Sequence, residues 1–221
     1  MKKIKFLFFC FFLLVGFNQN IFGVNIYSIG RLKYSGGGDW YADPTSLPNV
    51  HKYLNNKFKF LTEEPQIIEP TKKDLFKAPL IFITGHGNIK LSEKEIRDIR
   101  DYLKSGGFLY IDDCYGLDKS VRELLKKILP ESELVELPQT HKIYSSYYKL
   151  NSTPKIHEHD NLPAQGLGMH YNNRLVVFYT YQSDIGDGVE DEWVHNLPHN
   201  LRDAAMKMFV NIVMYNLLYN Y

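Results

Sequence analysis

Cysteine is scarce in this sequence, with two among 221 residues, and tryptophan is equally rare. So few thiols exclude a disulfide-stapled miniprotein. Charge of one sign is also lacking, because 26 basic side chains stand against 25 acidic ones for a formal net charge of +1. Nucleic acid selects for a clustered basic face, so no nucleic-acid partner is expected. The longest apolar run, Phe6 to Phe17, falls short of the ~20 residues a membrane-crossing helix needs. What is present, 44% hydrophobic and 23% charged residues, suffices for one well-buried core.

The first residues point to export. Lys2, Lys3 and Lys5 precede the apolar run, the order of a secretory signal. Small residues suited to a cleavage site are sparse around Gly16 and Gly23, so residues 1–23 read either as a signal peptide or as a short membrane anchor. Their removal takes three lysines and no acid, which leaves 23 basic and 25 acidic side chains, a net charge of −2. Cys114 is then the sole cysteine, and no internal disulfide can form. Residues 24–221 read as a single α/β domain, exported to the periplasm or associated with the envelope.

Short apolar runs alternate with amphipathic stretches through that domain, the pattern of a mainly parallel sheet between two helical layers. Residues 25–34 read as a first strand, and 66–68 as a short one. A helix begins near Thr45 or Ser46. The run Leu80-Ile81-Phe82-Ile83-Thr84 suits a strand covered on both faces. Ser92 and Glu95 form a capping box for the next helix, which Gly106 ends. Residues 108–111 form another buried strand, followed by a helix capped by Asp118 and closed by Pro130. Strands are then expected at 135–137, 144–150 and 174–181, and a last helix capped by Asn200.

Several segments resemble one family in order along nearly the whole exported chain. They are Arg31 to Tyr41 with its Gly36-Gly37-Gly38 turn, Thr84-Gly85-His86-Gly87-Asn88, Gly106-Gly107-Phe108 with Asp112-Asp113-Cys114-Tyr115-Gly116, His157-Glu158-His159-Asp160, and Ser183-Asp184-Ile185-Gly186-Asp187-Gly188. The family is the bacterial domain of unknown function numbered 4159. The resemblance implies a flavodoxin-like, class I glutamine amidotransferase-like architecture, a three-layer sandwich, and for some members a place within larger membrane-anchored proteins.

Candidate site residues follow from where the strands end, since ligands of such sheets sit at the carboxyl edge. Cys114 resembles the amidotransferase nucleophile on its strand-turn-helix elbow, with Asp113 beside it as a second catalytic candidate. Against that role, Asp112 occupies the position where the elbow carries glycine, and the late His-x-Glu pair of those enzymes is missing. The bland alternative is a packed thiol in a tight turn. The adjacent carboxylates Asp112 and Asp113, with His86 and Asp39 from neighbouring loops, could hold a cation or act as acid and base. Equally, Asp113 caps a helix turn, Asp112 accepts backbone N–H bonds, and His86 bonds to a nearby carbonyl. Gly37 and Gly38 permit close approach of an anion, or simply turn the chain. Trp40 offers a stacking surface.

The acidic stretch Asp184 to Glu192 lacks calcium-hand spacing and reads as a solvated loop, although its place after the 174–181 strand brings it to the same rim as Asp112; His157 to Asp160 lacks the spacing of a zinc hydrolase. No residue is therefore assigned to a metal, and no cofactor is named. Two function classes remain. One is a non-catalytic envelope module that binds a small ligand or a cell-envelope protein through Gly37, Gly38, Asp39, Trp40, His86 and Asp112. The other is an envelope hydrolase using an Asp/His rim, metal-assisted or with Cys114 as nucleophile.

Overall fold

A computed structural model describes residues 27–58 and 62–220. The segment read as a signal, residues 1–23, lies outside the described residues. Among those residues the strands are β1 (Ile29–Leu32), β2 (Gln66–Ile68), β3 (Leu80–Ile83), β4 (Phe108–Asp112), β5 (Val135–Glu136), β6 (Gln165–Tyr171) and β7 (Arg174–Tyr181). They form one sheet in the order β2-β1-β3-β4-β7-β6-β5. Pairing is parallel from β2 through β7 and antiparallel for β6 with both of its neighbours.

Alternation along β3 explains the layers. Ile81 and Ile83 face a cluster with α2 (Lys72–Leu75), α3 (Glu93–Lys104) and α4 (Asp118–Ile128). Leu80 and Phe82 face the opposite cluster, with α1 (Ser46–Phe58), α5 (Ile185–Val189) and α7 (His199–Tyr219), the last two separated by the single turn α6 (Glu192–His195). A strand buried on both faces must be apolar throughout, so the continuous runs of β3 and β4 are the sequence of a central parallel strand. The three-layer α/β expectation therefore holds.

The chain leaves β1 through α1 toward one sheet edge and comes back past it to β3 by way of α2 on the opposite face. This reversal of direction between β1 and β3 opens a crevice at their carboxyl ends, where an open α/β sheet receives ligands. The capping box is present: Ser92 Oγ accepts from the Glu95 amide, and Glu95 accepts from the Ser92 amide. No helix among the described residues is long and apolar enough to cross a membrane.

Three local expectations differ from the structure. Residues 144–150 form no strand; a 3₁₀ turn at Lys142–Tyr144 leads into a loop. Buried Asn211 of α7 takes over the hydrogen bonds a ladder would have supplied, accepting from the amides of Tyr147 and Tyr148 at 3.0 and 2.7 Å. In place of that strand stands β6, joined to β7 by Asn172 and Asn173, both at positive φ as a tight hairpin requires. Finally, Asp118 and Asn200 are not caps: α4 follows Leu117, whose amide is bonded to Asp113, and α7 follows Pro198.

Candidate functional site

The loop leaving β1 is anchored from below. Arg31, nearly buried, donates from Nη2 to the Asp43 carbonyl at 2.6 Å and to Ser46 Oγ at 3.0 Å, and from Nη1 to the Ala42 carbonyl. These bonds hold Asp43 at φ 52, in the left-handed region that a non-glycine residue enters only when its surroundings compel it. Its carboxylate then points into the crevice. Asp43 Oδ2 accepts from Thr84 Oγ1 at 2.6 Å, just past β3, and from Cys114 Sγ at 3.2 Å, just past β4.

Asp112, the last residue of β4, is fully buried beside it. Oδ1 accepts from Thr180 Oγ1, and Oδ2 accepts from the Gly186 amide at 2.6 Å. Gly186 fits between the two acids because it has no side chain: an added Cβ would collide with Asp43 Oδ2 and stand 3.3 Å from Asp112 Oδ2. Burial pushes the Asp112 carboxyl up to about 7, although its hydrogen bonds favour the charged form.

The segment after β7 completes the site, and it is buried rather than solvated. Asp184, Asp187 and Glu190 all lie inside. Glu190 accepts from the Thr45 amide and hydroxyl, and its other oxygen lies 3.1 Å from His195 Nε2. Asp187 Oδ2 lies 3.0 Å from His157 Nδ1, and Oδ1 lies 3.5 Å from His195 Nε2. Burial and the Asp43 charge raise the Asp187 carboxyl to about 6 against the pull of these histidines. Asp184 differs from its neighbours. It is 0% exposed, its backbone is left-handed at φ 59 and ψ 49, and neither carboxylate oxygen makes a hydrogen bond among the described residues. Oδ2 lies 2.9 Å from His159 Nε2, at ion-pair distance but without hydrogen-bond alignment. Burial, followed by repulsion from Asp112, Asp187 and Asp113, drives the Asp184 carboxyl up to about 10. His159 packs at a tilt against Tyr115 with ring centroids 4.7 Å apart, and burial holds its imidazole below the ordinary value.

The residues singled out from the sequence are thus distributed over four places. Asp112 and Cys114 enter the crevice with Asp43. Asp113 turns to the opposite side, where Oδ1 accepts from the Leu117 amide at 2.9 Å and Oδ2 from the Tyr179 hydroxyl at 3.2 Å. Asp39 and His86 form a pair at the mouth: Asp39 accepts from the His86 amide, and its Oδ2 lies 3.1 Å from His86 Nδ1. His86 is near enough for its charge to bear on Asp113 and His159. Gly38 donates its amide to the Asn88 carbonyl, whereas Gly37 has open space at its Cβ position. Trp40 packs edge-on against Tyr41 and lines a separate groove with Arg31, Pro48 and Ile67.

Sequence reasoning gave Asp43 no role and read 184–192 as a solvated loop at the rim of Asp112; the loop does reach that rim and Glu192 is exposed, but Asp184, Asp187 and Glu190 are buried. The available signal was Gly186 and Gly188, because two glycines among acids mark close approach of other atoms. Cys114 is buried, and its sulfur bonds to Thr84 Oγ1 at 3.0 Å and to Asp43; no histidine is among its bonding partners in the described residues. Burial and the Asp43, Asp112 and Asp187 carboxylates push the thiol well above its ordinary value.

Comparison with solved structures finds similarity to a protein described as a GMP synthase subunit from Thermoplasma acidophilum, with 11% identity over 87% of this chain and 97% of the other, at a TM-score of 0.42. Comparison with curated proteins gives no match. The family described as Domain of unknown function (DUF4159) matches residues 28–217, and the chain belongs to that family.

Proposed function

We propose that this chain is an exported, envelope-associated binding module whose carboxyl sheet edge holds a ligand and performs no thiol chemistry. The state of Cys114 carries this reading. A nucleophilic cysteine needs a thiolate and an adjacent base. Here the thiol is enclosed, donates to Asp43 Oδ2 and is surrounded by carboxylates that favour its neutral form. The missing His-x-Glu pair agrees with it. The polar interior nevertheless persists, and a set of buried acids has a cost that a bound partner can offset. Export rests on Lys2, Lys3 and Lys5 ahead of the apolar run.

Ammonia release from glutamine, measured for the protein and for Cys114→Ala, tests the reading. Neither is expected to release ammonia, and iodoacetamide should leave the Cys114 peptide unmodified until urea is added. Cys114-dependent ammonia release would overturn it.

A hydrolase is the second reading, favoured by the His157–Asp187 pair, in which a buried carboxylate orients an accessible imidazole as a general base requires. Turnover of chromogenic esters that disappears in His157→Ala would establish it in place of the binding module.

A further inference from the structure

We infer that His157, His159 and Asp184 form a binding site for a divalent transition-metal ion of the zinc class. This deepens the binding-module reading by naming the ligand, and it rests on that reading's use of the carboxyl edge. One ring nitrogen from each histidine and one Asp184 oxygen all lie within 4.8 Å of one another. Ligand bonds of roughly 2.0–2.2 Å place tetrahedral donors about 3.4 Å apart. Small rotations of the two rings therefore suffice to close the set.

The acids alone would not carry this assignment, since Asp112, Asp187 and Glu190 are all satisfied by hydrogen bonds. Asp184 is the exception, fully enclosed with a partnerless Oδ1, and the buried His159 Nε2 beside it also lacks a hydrogen bond. Unsatisfied groups of this kind are uncommon in folded proteins and call for an explanation. A cation between them satisfies both.

The surroundings fit a metal site. His157 Nδ1 bonds to Asp187, which leaves its Nε2 to ligate and fixes the ring, the support that metal-bound histidines usually have. Two imidazoles favour zinc-like ions over calcium or magnesium, which prefer oxygen throughout. The two histidine side chains remain 44% and 23% exposed, so the ion has a path in and keeps a coordination position open to water or to a ligand group. The neighbouring set of His157, Asp187 and His195 is already closed by its own hydrogen bonds and serves as support.

Calorimetric titration of zinc chloride into the chelator-treated full chain tests the site, with cobalt(II) absorption as a second readout. One equivalent should bind and raise the melting temperature. His159→Ala and Asp184→Asn should each weaken binding more than about 100-fold, beyond the loss that outer hydrogen-bond partners produce. His170→Ala, in β6 and outside the coordinating set, should bind as the unaltered chain does. Circular dichroism of Asp184→Asn guards against loss of fold. Absence of binding by the folded chain, or unchanged affinity in Asp184→Asn, would overturn the inference. Because glutamine hydrolysis and Cys114 reactivity are read without metal, the binding-module reading stands or falls separately.

Discussion

Replacing Asp184 with asparagine should stabilise the metal-free protein at neutral pH and remove part of its pH dependence. The Asp184 carboxyl titrates at about 10 in the fold against an ordinary value of 3.8. A raised carboxyl is protonated in the native state while the unfolded chain has already ionised. Its contribution is therefore complete below 3.8 and is lost as pH rises toward 10. At about 1.4 kcal/mol per pH unit, the loss reaches about 4 kcal/mol by pH 7. Asparagine escapes that loss but leaves a buried amide without partners, at a cost of about 2 kcal/mol. The net gain at pH 7 is about 2 kcal/mol, or about 6 °C in melting temperature for a domain of this size. At pH 4, where the Asp184 loss has all but disappeared, the same substitution should instead cost about 2 kcal/mol. Asp112 and Asp187 add slope of the same sign, but theirs ends near their own values of about 7 and about 6. The diagnostic interval is therefore pH 7.5 to 8.5, where the unaltered chain should lose about 1.4 kcal/mol and Asp184→Asn very little. Urea unfolding in chelator at closely spaced pH values measures both slopes. Equal slopes in that interval would refute the assignment of the burden to Asp184.

Other substitutions probe the frame around the site. Gly186→Ala should destabilise by about 2 kcal/mol, because the new methyl group meets Asp43 and Asp112 in a packed interior; denaturant midpoints measure it. Arg31→Met should cost about 3 kcal/mol by stripping the Ala42 and Asp43 carbonyls of their donor, and proteolysis should become faster within residues 39–46. Asp113→Ala should cost about 1 kcal/mol through the unpaired Leu117 amide, read as a lower denaturant midpoint.

The parts of the fold that could be read from sequence are those whose burial repeats locally. Leu80 to Ile83 is apolar at every position because both faces are covered, and Ser92 with Glu95 satisfies a helix end within four residues. The failures share the opposite property. Strand β6 carries Gly166 and Gly168 at buried positions, filled by Tyr144, Thr153, Leu137 and Leu175 from elsewhere, so its own pattern is faint. The tyrosine-rich stretch 144–150 looks like a strand, but its apolar rings pack against α1 and α7 while Asn211 satisfies the backbone. The site follows the same division. Asp112 was legible from its place at a strand end. The rim position of Asp184, Asp187 and Glu190 was legible in the same way, but their burial was not, because composition cannot distinguish acids exposed to solvent from acids enclosed by residues up to 145 positions away, as Thr45 is from Glu190.

That separation governs how the site comes into being. Thr45 and Glu190, and Asn49 and Asp191, join across 145 and 142 positions, so the two ends of the crevice wall meet only after nearly the whole chain has been made. Contacts of such long sequence separation form late in folding. A chain ended before Val189 would carry every strand of the sheet but lack the bonds that hold Thr45 and Asn49 to this wall, so the wall is the last part of the crevice to close.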